Sequence, residues 1–362
     1  MKRSSANHRT RMTSICYETA FLSSHNWIIL VRGNLPSGFI AWVKSYLTDR
    51  YQQVIINQET SHPIRISSGV PQGSVLSPYV FAAHMGSLTP LNDQSHMIKY
   101  ADDVAIGIPV KCLTDVGDFI AKEVAHVREW CLRNGLELNE KKSKCLVIAK
   151  RNKDLHAILD TCPPNIEICS QLKLLGITYN SRLCWDDHIN IICKKANRNI
   201  FVLRQMKSFV NKDILTLVYS SLVRSILEYC NPLFIGINKK QSKKLEKVRK
   251  HCHRIICDKE CKCERFPELR DRRETQAISF FLSMEKHDNI LNYLFPRRLT
   301  HSQKLAMPLC ITNRRLTSFL PQCIQLCNRI WPQTCLYITC NWLIFSNFEI
   351  NDSYLNDSYL KF

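Results

Sequence analysis

Nowhere in its 362 residues does the chain stay apolar for the roughly 20 residues that a membrane-spanning helix requires. It shows no secretory leader. Acidic residues are in short supply, with 31 Asp and Glu against 50 Lys and Arg. The first two absences speak against a membrane-spanning helix and a secreted chain, and the expectation is an intracellular protein, nuclear or cytoplasmic. The third leaves a formal charge of +19, which favours a polyanionic partner, nucleic acid ahead of a membrane surface, bound less tightly as salt rises. A hydrophobic content of 45% with 22% charged residues describes an ordinary globular chain, long enough for two or three domains with real cores.

Cysteine is plentiful at 18, but the residues are scattered through helical and strand-like segments of a large chain, which speaks for reduced core thiols rather than a disulfide scaffold. The densest group, His251, Cys252, His253, Cys257, Cys261 and Cys263, fits no standard zinc spacing.

The most informative segment is Lys99-Tyr100-Ala101-Asp102-Asp103-Val104-Ala105-Ile106, two adjacent carboxylates at the bend between short apolar runs. On a tight β-turn both acids can point into one cleft. Hard oxygen ligands suit Mg²⁺, and two such ions can drive an in-line displacement at phosphorus. An isolated Asp-Asp pair reads equally as a solvated turn. Its neighbours are what distinguish it. Upstream lies Ser68-Gly69-Val70-Pro71-Gln72-Gly73-Ser74, opening an apolar segment with Phe81, Met85 and Leu88. Downstream come Gly135-Leu136-Glu137-Leu138-Asn139-Glu140-Lys141-Lys142-Ser143-Lys144, then Leu172-Lys173-Leu174-Leu175-Gly176-Ile177 ahead of Leu183-Cys184-Trp185-Asp186-Asp187-His188-Ile189.

Periodicity places these blocks on elements. Residues 1–12 read as a basic, frayed terminus and 13–22 as a strand. Gly38 to Leu47 reads as a short helix, and Tyr51 to Asn57 with Pro63 to Ser67 as paired strands around a polar turn. Val116, Phe119, Ile120, Val124, Val127 and Cys131 recur at steps of three and four, so 114–134 is predicted helical, with Thr114 as N-cap and Gly135 as stop. Leu136 to Leu138 and Cys145 to Ile148 read as strands. Strand, helix, hairpin, helix, strand is a split βαβ arrangement. Beyond Trp185 the pattern predicts helices at about 187–209, 212–229 and 241–257. The third carries an apolar stripe of Leu245, Val248, Cys252 and Ile255 opposite Lys240, Lys243, Lys244, Lys247 and Lys250. Lysines on helices are commonly a solvated face. These lack enough acids at i+4 to neutralise them, which favours a phosphate-facing surface.

In order and spacing the four blocks resemble the palm motifs of non-LTR (LINE-type) retrotransposon reverse transcriptases, over roughly Cys16 to Pro332. The resemblance implies an α+β fold, with a palm of split βαβ form and antiparallel sheet at 13–185. It also implies an all-helical thumb at 186–260, a C-terminal helical extension at 261–332 and a poorly ordered tail at 333–362. It implies RNA-directed DNA polymerase ancestry, with Mg²⁺ as cofactor, an RNA template and DNA primer as partners, a dNTP as substrate, and no membrane. Asp102 and Asp103 resemble the catalytic metal pair, and Tyr100 and Ala101 the turn that presents them. Gln72 and Gly73 resemble the loop against which template and nucleotide stack, and Phe21 a gate against a ribose 2′-OH. Lys142 or Lys144 corresponds to a phosphate-facing lysine, with solvent exposure the plain alternative. The basic helix corresponds to the duplex-gripping thumb.

The pattern breaks in one place. Two-metal chemistry needs a third carboxylate on a neighbouring strand, which the family carries in Asp-x-x-Lys-Ala-Phe-Asp. Here the matching stretch is Cys16-Tyr17-Glu18-Thr19-Ala20-Phe21-Leu22, so Cys16 occupies the place of the essential Asp. A largely protonated soft thiol cannot bridge Mg²⁺. Glu18 lies about 6 to 7 Å along the strand, and a displacement of about 1 Å can already cost a hundredfold in rate. With few residues ahead of this block for fingers strands and no endonuclease, the sequence reads as a 5′-truncated, impaired polymerase. The alternative is a non-catalytic nucleic-acid-binding relic.

Overall fold

A computed structural model describes residues 10–16, 36–66, 69–109, 116–148, 166–257, 266–296, 304–310 and 313–330. The expected gate Phe21, Glu18, the N-cap Thr114 and the tail at 333–362 lie outside these residues. The chain divides into two compact units, Met1–His188 and Ile189–Phe362.

The first unit is organised around β7, Asp103–Pro109, an apolar strand of Val104, Ala105, Ile106 and Ile108, all buried. It pairs antiparallel with β6, His96–Tyr100, on one side and with β1, Thr10–Cys16, on the other. With β8, Lys144–Leu146, and β9, Glu167–Cys169, these strands form one sheet in the order β6-β7-β1-β8-β9, in which only the β8–β9 pair is parallel. Residues Thr10 to Met12, expected to be frayed, are part of β1. A flanking helix, α3, Val116–Arg133, turns Val116, Ile120, Val124, Val127 and Cys131 into a core shared with Val104, Ile106, Ile108 and Cys145. Phe119, counted in its stripe from periodicity, is 42% exposed. Gly135 ends the run with φ +67, the left-handed turn that glycine adopts without strain.

Two expectations are corrected. Leu136 to Leu138 is not a strand; only Leu138 forms a bridge, while both leucines are buried in the core. The hairpin at 51–67 is two short ladders, β2 (Arg50–Gln52) with β5 (Ile64–Ile66) and β3 (Ile55–Ile56) with β4 (Glu59–Thr60). Between them the Ser61 hydroxyl accepts from the Val54 N–H at 2.9 Å.

Ahead of the sheet, α1, Ser37–Leu47, and α2, Ser77–Gly86, pack through Val43, Leu47 and Val80. After it, β10 (Gln171–Leu174) and β11 (Ile177–Asn180) form a hairpin whose two turn residues, Leu175 and Gly176, both have positive φ, as a type I′ turn requires. α4, Asp186–Met206, is tied to this hairpin: His188 Nδ1 accepts from the Thr178 N–H at 3.2 Å, and Asn180 donates to Asp187 at 2.7 Å.

The second unit is helical. α5 (Lys212–Tyr219) passes through a π-helical stretch, Ser220–Arg224, into α6 (Ser225–Glu228), and a 3₁₀ turn at Asn231–Phe234 follows. Then come α7 (Lys239–Ile256), α8 (Leu269–Ser283), α9 (Asn313–Leu316) and α10 (Phe319–Ile330). Ala277, Phe281, Met284, Cys323, Ile324 and Cys327 form the core between α8 and α10. A Cβ on Gly236 would sit 1.8 Å from the Thr317 carbonyl oxygen, so only glycine fits there. No described helix is long and apolar enough to cross a membrane.

Candidate active site

Tyr100 pairs with Asp103 across β6 and β7, which leaves Ala101 and Asp102 as a two-residue loop. Such loops favour a positive φ at the first position, and Ala101 has φ +50. A left-handed alanine costs about 1–2 kcal/mol, a strain the flanking ladder must hold. Tyr100, Ala101 and Asp102 are exposed and Asp103 is half-buried. Neither carboxylate forms a hydrogen bond or ion pair with a described residue. An Asp in a turn ordinarily earns its place by bonding its own backbone, so the usual explanation for such a pair does not operate at this tip.

The register of β1 on β7 puts the backbone of Cys16 directly across from Asp103. The position that carries sulfur in place of the expected third acid is therefore the one paired with the hairpin carboxylate.

Both ends of β6 are pinned by side chains that periodicity does not reveal. Lys99 Nζ donates to the carbonyls of Met85 at 2.8 Å, Gly86 at 3.3 Å and Leu88 at 2.8 Å, closing the C-terminus of α2 with a cation where the helix dipole is negative. Burial pushes its pKa down. Glu123 of α3, 2% exposed, accepts the backbone N–H groups of Leu91 and Asn92, each at 3.1 Å, in the segment leading into β6. The signal for Lys99 was its parity: it shares the inward side of β6 with half-buried Met97, a position where an unpartnered ammonium would be costly.

The Pro71-Gln72-Gly73 loop is held from below. Buried Ser77, at the start of α2, donates to the Pro71 carbonyl at 2.5 Å and lies 3.0 Å from the Tyr46 hydroxyl. Gln72 and Gly73 are exposed, Gly73 has φ +80, and nothing lies within 4 Å of where its Cβ would be.

Lys144 is ion-paired at 3.0 Å with Glu167, its partner in the β8–β9 register, and that hydrogen bond raises its pKa. Its amine is thus already met by a carboxylate, a partner the sequence reading did not foresee.

In the second unit, Lys240, Lys243, Lys247 and Lys250 of α7 are exposed and form no ion pair among the described residues. Lys244 is half-buried and donates to Asn190 Oδ1 at 2.8 Å. The buried stripe opposite runs through Leu245, Val248, Cys252 and Ile256; Ile255, expected in it, is only half-buried. Asn238 and Gln241 close the helix start with a reciprocal capping box. Burial among these residues pushes the Cys252 thiol up to about 12, the behaviour of a packing residue.

Residues 25–179 match the reverse transcriptase (RNA-dependent DNA polymerase) family. The chain is 26% identical over 243 residues to a probable RNA-directed DNA polymerase from transposon BS of Drosophila melanogaster, covering 63% of this chain and 26% of that protein. It is 25% identical over 307 residues to the RNA-directed DNA polymerase from mobile element jockey of Drosophila funebris, covering 77% of this chain and 32% of the relative. To a probable RNA-directed DNA polymerase from transposon X-element of Drosophila melanogaster it is 27% identical over 168 residues, 45% of this chain and 18% of the relative. The chain thus spans between 18% and 32% of the length of these relatives. Residues 25–179 are thus similar to the reverse transcriptase family, and the chain as a whole is similar to RNA-directed DNA polymerases of Drosophila mobile elements.

Proposed function

We propose that this chain carries the palm and the thumb of an RNA-directed DNA polymerase, built for an RNA template and a DNA primer, with its nucleotidyl-transfer chemistry impaired. The observation that carries this reading is the pairing of Cys16 with Asp103 beside a hairpin tip whose two aspartates have no side-chain partner among the described residues. The ancestral reaction is attack of a primer 3′-OH on the α-phosphate of a dNTP. Its two-ion clamp needs three carboxylates. Asp102 and Asp103, with water completing the shell, suit one Mg²⁺. A thiol at the third position does not suit a hard ion, so the donor set does not fit the two-ion clamp.

Primer extension on poly(rA)/oligo(dT) with Mg²⁺ tests this. The unaltered chain is expected to give no synthesis above background, and Cys16→Asp to raise it. Robust synthesis by the unaltered chain that disappears with Asp102→Asn would overturn the proposal.

A second reading, favoured by the exposed lysines of α7, is salt-dependent nucleic-acid binding without catalysis. If Lys240, Lys243, Lys247 and Lys250 each meet a phosphate, log K should fall against log salt with a slope of about −3 to −4. Binding should survive Asp102→Asn with Asp103→Asn. A slope unchanged by Lys240→Gln with Lys247→Gln would refute it.

A further inference from the structure

Within the second unit, a cleft of about 570 Å³ opens between the start of α7, α8 and α10. That volume would admit a nucleotide-sized molecule. Its apolar wall is aliphatic, made of Ile235, Ile237 and Leu326, and no aromatic ring lines it. Five cationic side chains and three carboxylates make up the charged wall.

Pairing uses up most of that charge. Glu274 accepts from Arg270 at 2.9 Å and from Arg329 at 3.3 Å. Glu246 accepts from Arg249 and from the Leu269 N–H at the start of α8, both at 2.6 Å. Lys239 and Lys243 are exposed and have no ion pair among the described residues, and Glu268, which begins α8, makes no side-chain cap. Arg273 is different in kind. It is 2% exposed, its Nη2 reaches only the Ser242 hydroxyl at 3.5 Å, and its Nη1 has no hydrogen-bond partner among the described residues.

A buried guanidinium nitrogen without an acceptor costs more than almost any other orphaned group, and native structures supply such donors with an anion or water. Arginine stays protonated, so neutralising itself is not an escape. With Lys239 and Lys243 also unpaired in the same wall, the cleft holds more positive charge than its carboxylates balance. Two helix N-termini, those of α7 and α8, lie at this wall and bring positive dipole ends. A dianionic group with three acceptor oxygens satisfies a fork and two ammonium groups together. A flat aromatic ligand would find no stacking partner here.

We propose that this cleft binds a phosphate group, with Arg273 Nη1 as its buried donor and Lys239 and Lys243 as flanking cations. The assignment stands whether or not the chain extends a primer. Two sources carry the same chemistry: a free phosphate or phosphomonoester, and the backbone of a nucleic-acid strand.

The test is calorimetric titration of the full chain with inorganic phosphate. A second arm follows a short single-stranded oligonucleotide lacking terminal phosphate by fluorescence anisotropy. Saturable one-to-one phosphate binding is expected, weakened about tenfold or more by Lys243→Gln and by Arg273→Lys, which keeps the charge but loses the fork. Phosphate that displaces the oligonucleotide identifies the strand backbone as the source; phosphate binding without competition identifies the small anion. Lys239→Gln and Lys243→Gln change only exposed side chains, so the test does not depend on Arg273→Lys folding. No saturable phosphate binding by the folded unaltered chain, or binding untouched by both exposed substitutions, would overturn the assignment.

Discussion

Replacing Lys99 with methionine removes the cation that joins the aspartate hairpin to α2 while keeping an unbranched side chain of similar length. Three carbonyl oxygens lose a donor, two of them at 2.8 Å and one at 3.3 Å. The Met85 carbonyl keeps a second donor, the Leu88 N–H at 3.2 Å. Bonds to a charged group contribute about 1.5–3 kcal/mol, and a cation at a helix C-terminus adds about 0.3–1 kcal/mol. Lys99 is half-buried, so water recovers part of the loss, and the net cost comes to about 2–3 kcal/mol. That corresponds to a rise of roughly 30- to 150-fold in the fraction of molecules in which this region is open, and so in its exchange rate. Hydrogen exchange read by mass spectrometry on peptides within 77–109 measures it directly, with α7 peptides as an internal control. Lys99→Arg, which keeps the charge, should recover much of the protection. Exchange in Lys99→Met within about threefold of the unaltered protein would show that the lysine decorates the hairpin without anchoring it.

Other outcomes follow from the same geometry. Gly236→Ala should destabilise the second unit by about 3 kcal/mol, because a Cβ placed 1.8 Å from the Thr317 carbonyl forces the backbone apart; a thermal melt that does not move would refute the close approach. His84, 3% exposed and 5.7 Å from the Trp130 ring, has no hydrogen-bond partner on either nitrogen among the described residues, and burial lowers its pKa from 6.5 to about 4. The unfolded chain therefore takes up the proton first. His84's share of stability is complete above pH 6.5 and is lost as pH falls toward 4, by about 3 kcal/mol over the window. His84→Leu should flatten that part of the melting temperature against pH profile without loss at pH 7; an unchanged profile would count against it. At the hairpin tip, Ala101→Val should cost about 1–2 kcal/mol, since a β-branched residue is strained at positive φ, whereas Ala101→Gly should be neutral or slightly stabilising in urea titrations.

What periodicity reads is burial, and the elements it placed well are those where burial and backbone pairing coincide. The helix over Val116–Arg133 and the strands either side of Ala101 have apolar residues at the spacing of their own geometry. Leu136 and Leu138 alternate like a strand because both enter the core, yet the backbone there finds no extended ladder. The π-helical stretch at Ser220–Arg224 has no counterpart in a 3.6-residue pattern, so the sequence showed only one long helix. The position of β1 between β7 and β8 is a pairing between distant segments, which no local spacing encodes. At the candidate site the motif residues Asp102, Asp103, Gln72 and Gly73 stood out in the sequence. Of their supports, Lys99 was signalled only by its parity on β6, and Glu123, Ser77 and Tyr46 not at all, because each acts through a polar contact with backbone or hydroxyl far along the chain.

The strand that carries Asp103 has a neighbour on each side and five consecutive buried residues behind the tip. Chemistry and architecture are therefore borne by different side chains. A third acid facing Asp103 without a bound cation would set like charges across the ladder, an unfavourable pairing, and sulfur at position 16 removes it. Cysteine at position 16 thus leaves the platform standing and spares it the electrostatic tension that an acid there would bring whenever no cation was bound.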